Sequence, residues 1–187
     1  SSSSRNIKIS NSDITAQQYF TLLWSSIVLN AGTSHIIMAG TYTSTSQYFQ
    51  SSDGLVYHNI TYSSSSSTGG SMYGNNIIVN KIHFYGSCTF PTSIMVDSLL
   101  MASSHIYTLP AGSNVHIGKY WLANTATCEA MAEITSSSTT TAANIQILPG
   151  CVVDLNGILI QGINVISDTP LSANSCVDMG GNTGFVF

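Results

Sequence analysis

The chain has 187 residues, of which four are Lys or Arg and eight are Asp or Glu, so 6% are charged and the formal net charge is −4. A soluble domain ordinarily carries about 25% charged residues, and here 31 Ser, 19 Thr and 14 Asn stand in their place. Four scattered cations leave no basic footprint for nucleic acid, a hydrophobic fraction of 43% opposes intrinsic disorder, and no run reaches the roughly 18 apolar residues of a membrane span.

The chain opens on Ser1-Ser2-Ser3-Ser4 without a secretory leader pattern and closes on Gly184-Phe185-Val186-Phe187, a texture expected of a piece of a longer polypeptide. Residues 1–34 read as an N-terminal capping or linking segment. Ser12 or Asp13 stands where it would cap a short helix running through Tyr19, Phe20, Leu23, Trp24 and Ile27 to a stop at Gly32. The apolar residues are too dense there for a clean helical stripe, and a pair of buried strands fits them as well. Arg5 to Ile9 reads as an isolated strand.

From His35 to Phe187 the texture is of short runs rich in β-branched and aromatic residues, which favour pleated surfaces, separated by polar turns. Three octets align: Leu55 to Tyr62, Ile77 to Phe84 and Ile94 to Met101. Each has three apolar residues, two polar ones, a branched aliphatic, a variable position and a large apolar residue. Aliphatic landmarks continue the spacing at Ile82, Leu99, Ile117 and Ile134, then at Ile145 and Ile163. A self-similar period near 20 residues is the mark of a stacked repeat. The expected fold is all-β, a right-handed parallel β-helix (β-solenoid) with repeats of about 17–22 residues, the alternative being an antiparallel β-sandwich. Stacked like charges repel, so neutral hydroxyl and amide rows suit such a fold. Turn signals stand at Ala39-Gly40, Ser52-Asp53-Gly54, Thr68-Gly69-Gly70, Gly74-Asn75, Pro110-Ala111-Gly112 and Pro149-Gly150, and Ser63 to Ser67 read as a protruding loop.

Cys88, Cys128, Cys151 and Cys176 show no paired metal-ligand spacing and are candidate disulfide cysteines, with three pairings open. His35, His58, His83, His105 and His116 lack the spacing of a helical metal site. They read as surface or strand-packing residues, or as a polar ladder touching a ligand. The carboxylates are solitary except for Glu129 and Glu133, whereas glycoside hydrolysis needs two facing each other. No catalytic, cofactor-binding or metal-binding residue is assigned. Asn59 (in Asn59-Ile60-Thr61) and Ser98 (in Asp97-Ser98-Leu99) are candidate glycosylation sites. Tyr42, Tyr48, Phe49, Tyr107, Tyr120 and Trp121 are candidate exposed aromatics for stacking on sugar rings.

The segment Cys176-Val177-Asp178-Met179-Gly180-Gly181-Asn182-Thr183-Gly184-Phe185-Val186-Phe187 resembles the module-ending motif of giant cell-surface adhesins of Bacteroidota, including gliding-motility adhesins, with Phe185 where that family usually has Trp. Tyr57 to Tyr62 and Val79 to Phe84 are similar to a strand motif of the same family, and Tyr107 to Gly112 to one of its turns. The resemblance covers roughly Leu55 to Phe187. It implies a secreted, type IX exported, multi-modular surface protein with no catalytic residues, in which Asp178, Gly181, Asn182, Gly184 and Phe185 form a module-end turn. The function expected is that of an extracellular structural or adhesive module. Its partners would be neighbouring modules, copies of itself, or a carbohydrate or abiotic surface. A donor-strand filament subunit, with Arg5 to Ile9 as donor, and a polysaccharide-cleaving β-helix enzyme are the alternatives.

Overall fold

The computed structural model describes residues 5–23, 27–40, 47–63, 69–124 and 130–187. The chain runs through β1 (Arg5–Lys8), β2 (Asp13–Ala16), β3 (Tyr19–Leu22), β4 (Ile27–Asn30), β5 (His35–Met38), β6 (Gln47–Ser51), β7 (Val56–Tyr62), β8 (Gly70–Tyr73), β9 (Ile77–Phe84) and β10 (Cys88–Thr89). It continues through β11 (Ser93–Met101), β12 (Ile106–Leu109), β13 (Asn114–Asn124), β14 (Ala132–Ser136), β15 (Ala143–Ile147), β16 (Val152–Asn156) and β17 (Ile158–Gln161). It ends with β18 (Ile163–Ile166), β19 (Leu171–Ser172), β20 (Val177–Asp178) and β21 (Phe185–Val186).

The strands form two long sheets between which the chain alternates. One has the order β2-β5-β7-β9-β11-β13-β15-β18, with β16 also paired to β13; the other has the order β3-β6-β8-β10-β12-β14-β17-β20. Every strand pairing among the described residues is parallel. The antiparallel sandwich is therefore not formed: each strand meets its counterpart one repeat later, and no hairpin connects neighbours. The inner faces of both sheets share one core, where Phe49 of β6 meets Tyr57 of β7 edge-on at 5.0 Å and Phe84 of β9 lies 5.7 Å from Tyr107 of β12.

The three octets stack in one register. Tyr57 sits on Val79 and Val79 on Val96; Ile60 sits on Ile82 and Ile82 on Leu99. Octet positions one, three, six and eight point inward, as Ile77, Val79, Ile82 and Phe84 do in β9, all within 1% of complete burial. Positions four and five turn outward together, which bends each strand at a two-residue corner: His58-Asn59, Asn80-Lys81 and Asp97-Ser98. One column runs from Ile14 through Ile36, Ile60, Ile82 and Leu99 to Trp121 and Val153.

Other expectations are corrected. Ile117 lies on Val96 and Ile147, not on Leu99, and Ile134 belongs to the other sheet, between Tyr107 and Ile160. The aliphatic spacing thus measures the length of a repeat but mixes columns. Repeat length in the two long sheets also varies more than expected, from 17 residues between Val79 and Val96 to 32 between Trp121 and Val153. The N-terminal helix is replaced by β2, β3 and β4. Their burial alternates residue by residue (eiei, eiei and ieie), because Ile14, Phe20 and Leu22 turn towards the core while Tyr19 and Thr21 turn away. β2 and β3 extend the two long sheets. Arg5 to Lys8 is no free strand either, being paired with Ile27–Asn30 of its own chain. Trp24, Tyr42, Cys128 and Glu129, together with the loop Ser64 to Ser67, lie outside the described residues.

Turn chemistry follows the glycines. Gly54, Gly112 and Gly150 have φ of 73°, 70° and 83°, the left-handed conformation that side chains resist.

The column predicts a sharp contrast between two neighbouring residues. Ile82→Ala should lower stability by about 2–5 kcal/mol through the cavity it opens, whereas Ile78→Ala, on the outer face, should stay within about 0.5 kcal/mol. Denaturant midpoints of the two variants measure the difference.

Candidate functional site

Outward side chains repeat from rung to rung as the inward ones do. Asn144 Nδ2 donates to Asn114 Oδ1 at 3.3 Å, Asn164 Nδ2 donates to Asn144 Oδ1 at 2.9 Å, and the Thr183 hydroxyl donates to Asn164. Asn80 Nδ2 donates to Asn59 Oδ1 at 3.4 Å. The rings of Tyr19, Tyr48 and Tyr73 stack at 5.4 and 5.8 Å. A ring stacked in this way turns its faces to its neighbours and its edge to solvent.

A polar site lies where β5, β7 and β9 lie side by side. His35 of β5 stands on Asn59 of β7, and Asn59 on Lys81 of β9; in the adjoining column Thr61 stands on His83. With Tyr85, which follows β9, these five residues line a pocket of about 220 Å³. His35 Nε2 and the Thr61 hydroxyl are 2.8 Å apart, and the His83 and Tyr85 rings are 3.9 Å apart at 35°. Burial, then the neighbouring Lys81 ammonium, hold the His83 imidazole below its ordinary pKa. Lys81 has no ion-pair partner among the described residues, whereas Lys119 donates to Asp97 at 2.6 Å. Asp13 of β2 approaches His35 Nδ1 only to 3.9 Å and is largely solvated. That distance is too long for a hydrogen bond, so Asp13, His35 and Thr61 are not linked as a nucleophile-activating triad. What the pocket offers a ligand is a solvated ammonium, two imidazoles, a phenol ring, a hydroxyl and an amide.

A second, more apolar cleft of about 570 Å³ lies between β4 and β7, lined by Val28, Leu29, Val56, His58, Ile78 and Asn80 among others. Among the described residues β4 pairs only with β1, and the Val56–His58 part of β7 only with β9. His58 Nδ1 is buried without a hydrogen-bond partner.

The C-terminal segment joins the last strands of both sheets. Asn182 Nδ2 donates to the Ile160 carbonyl at 2.7 Å and to Asp178 Oδ1 at 2.6 Å, and Asn182 Oδ1 accepts from the Ile163 amide at 2.9 Å. Asp178 Oδ1 also accepts from the Gly180 amide at 2.8 Å. Gly181 has φ of 72°, and Gly184 has φ of 81°; a Cβ on Gly184 would lie 2.3 Å from the Val165 carbonyl oxygen. Phe185 pairs with Leu171 through β21 and β19.

The remaining residues singled out in the sequence fall in separate places. Asn59 and Ser98 are half-buried at strand corners, with Ser98 standing on Lys81. Phe49, Tyr107 and Trp121 are core residues with no exposed surface, which removes them as sugar-stacking candidates; Tyr48 and Tyr120 do face outward. Alternation decides this: one residue either way along a strand exchanges core for solvent. Cys88, Cys151 and Cys176 are free thiols, so no disulfide forms among them. They belong to different rungs: Cys88 lies within the core of β10, Cys151 precedes β16, and Cys176 bonds to the Asn174 carbonyl. Burial raises the pKa of all three, that of Cys88 most. No group of His, Cys, Asp or Glu among the described residues is arranged to hold a metal ion, and no helix is long and apolar enough to cross a membrane. A scan against protein-family models, a search of curated proteins and a search of solved structures each found no match.

The pocket escaped sequence reading because His35 lies outside the three octets. The half-motif His35-Ile36-Ile37-Met38 aligns with Asn59-Ile60-Thr61-Tyr62, and that alignment was the available signal.

Two outcomes are expected here. Asn182→Ala should cost about 1–3 kcal/mol, since it strips the Ile163 amide of its partner and the Ile160 carbonyl of one of its two donors, and amide exchange at Ile163 and Thr183 should accelerate before exchange in β9. Alkylation at pH 8 followed by peptide mapping should label Cys151 and Cys176 slowly, and Cys88 only after denaturation.

Proposed function

We propose that this chain is an extracellular, non-catalytic structural and adhesive module of a large cell-surface or filament protein, folded as a right-handed parallel β-helix. The observation that carries this reading is the parallel stacking of strand on strand, in which neutral polar ladders such as Asn114–Asn144–Asn164 coat one continuous aliphatic and aromatic core. Each repeat rests on its neighbours alone, so stiffness accumulates along the stack. The scarcity of charge suits a surface whose side chains recur on one another. The module-end resemblance to giant Bacteroidota adhesins supports a multi-modular parent exported by the type IX route, with Asp178, Gly181, Asn182, Gly184 and Phe185 closing the module. Neighbouring modules, further copies of the chain, and a carbohydrate or abiotic surface are its proposed partners.

Of the alternatives, the donor-strand subunit is disfavoured because Arg5–Lys8 is already paired within its own chain. The polysaccharide-cleaving enzyme lacks a facing carboxylate pair in either pocket, since Asp97 is the sole acid lining the larger one and is held by Lys119. Beads coated with the chain and drawn under flow across polysaccharide-coated and bare surfaces test the proposal. Retention with no release of new reducing ends or unsaturated products is expected. Reproducible turnover, or the absence of retention on every surface, would overturn it.

A further inference from the structure

We propose that the pocket of His35, Asn59, Thr61, Lys81, His83 and Tyr85 binds the anionic group of an acidic saccharide, a carboxylate or sulfate carried on a sugar ring. The inference rests on the adhesive reading and names the class of ligand and the place where it docks.

The chain has four Lys and Arg, and among the described residues Lys81 is without an ion-pair partner while it lines a pocket together with two imidazoles. The rungs on either side place Asn59 and Ser98 against Lys81, so no neighbouring carboxylate neutralises it. The titratable groups facing this region are Asp13 on β2, His35 on β5, Lys81 and His83 on β9, and Tyr85; β7 and β11 stack neutral Asn59, Thr61, Ser98 and Leu100 on Lys81 and His83, while His58 and Asp97, one residue earlier at the corners, line the neighbouring cleft, where Asp97 is held by Lys119. His105, from the loop before β12, bonds to the Tyr85 backbone at the rim. Asp13 is exposed and lies at the far side of His35. The pocket centre is therefore positive on a molecule whose net charge is −4.

Size and donors select the ligand. A site for a whole drug-sized ligand occupies about 300–1,000 Å³, and this one is about 220 Å³, so it takes one charged group and the ring that carries it. An anion there receives a charge-assisted bond from Lys81, which is stronger than a neutral one. The Thr61 hydroxyl and the Asn59 amide are placed for ring hydroxyls. The Tyr85 ring, 51% exposed, offers an apolar flank.

The pH sign follows from His83. Its proton is held off by burial and by Lys81, so at pH 7.5 it is neutral. An anion in the pocket favours the imidazolium, and the proton taken up strengthens binding as pH falls from 7.5 to 5.5. Carboxylates and sulfates stay ionised over that window.

Titration calorimetry of the full chain with oligogalacturonate, a sulfated oligosaccharide, a neutral dextran oligosaccharide, and free acetate and sulfate tests the site. Binding of at least one acidic saccharide is expected, weakened at least tenfold by Lys81→Gln, restored by Lys81→Arg, weakened by added salt, and tightened several-fold at pH 5.5 unless His83 is replaced by Asn. No binding of either acidic saccharide would overturn the proposal. So would equal binding of dextran, binding of free acetate or sulfate as tight as that of the saccharides, or an affinity indifferent to Lys81→Gln. Retention of beads on surfaces that persists in Lys81→Gln would remove this site and leave the module reading standing.

Discussion

Everything in this molecule depends on the parallel backbone ladder. It sets each residue about 4.8 Å from its counterpart one repeat away, so a choice made at one position is a choice about a column. Inside, the column from Ile14 to Val153 contains only apolar side chains and passes through seven strands. Outside, the same geometry would place like charges in contact, and a directly opposed pair of like charges destabilises a sheet. Amides avoid the conflict because each carries both a donor and an acceptor, as Asn114, Asn144 and Asn164 do in donating one to the next. The low charge noted at the outset is thus a property of columns.

Two of the exceptions to neutrality sit at the corners. Strands β7, β9 and β11 each bend at two outward residues, and these corner pairs hold Lys81 and Asp97. At a corner the two outward residues diverge, which leaves room for a long side chain to reach water or a partner. Asp97 uses that room to reach Lys119 across one rung, at the point where the register between β11 and β13 slips. Lys81 has only neutral residues above and below it. A cation is tolerated there because its column carries no second cation, and it remains available for the same reason.

How much of this was legible in the sequence varies with the length of the connections. Between Leu55 and Met101 the repeats are 17 and 22 residues long, and the octet alignment reproduces the structural register residue for residue. Beyond Met101 the connections lengthen, so Ile117 and Ile134, although spaced like their predecessors, fall in different columns of different sheets. The N-terminal strands were obscured because four-residue strands separated by short turns give apolar residues a density that also suits a helix. Aromatic residues were the least legible: Tyr120 and Trp121 are adjacent, yet one is 47% exposed and the other fully buried. Composition does not choose between them; only the phase of the strand does. The pocket of His35, Lys81 and His83 was hidden for a related reason, since its lining residues come from three rungs and acquire a common site only once the register is known.

The C-terminal turn shows how the ladder is brought round at its last rungs. Between β17 and β18 the chain passes from one sheet to the other through Gln161 and Gly162, leaving the Ile160 carbonyl and the Ile163 amide on either side of the step. The next rung already meets the carbonyl, through the Met179 amide at 2.8 Å. Asn182 supplies the acceptor for the Ile163 amide and adds a second donor to the Ile160 carbonyl, and Asp178 holds that side-chain amide in place. Gly184 then lets the chain pass within 2.3 Å of the Val165 carbonyl, measured from where a Cβ would stand, and brings Phe185 onto Leu171. A Gln at 182 would carry the amide one methylene too far, and an Asp would present two acceptors where a donor is required. The Asn thus bridges the step between sheets, and the glycine at 184 follows from the close approach of the chain to the Val165 carbonyl.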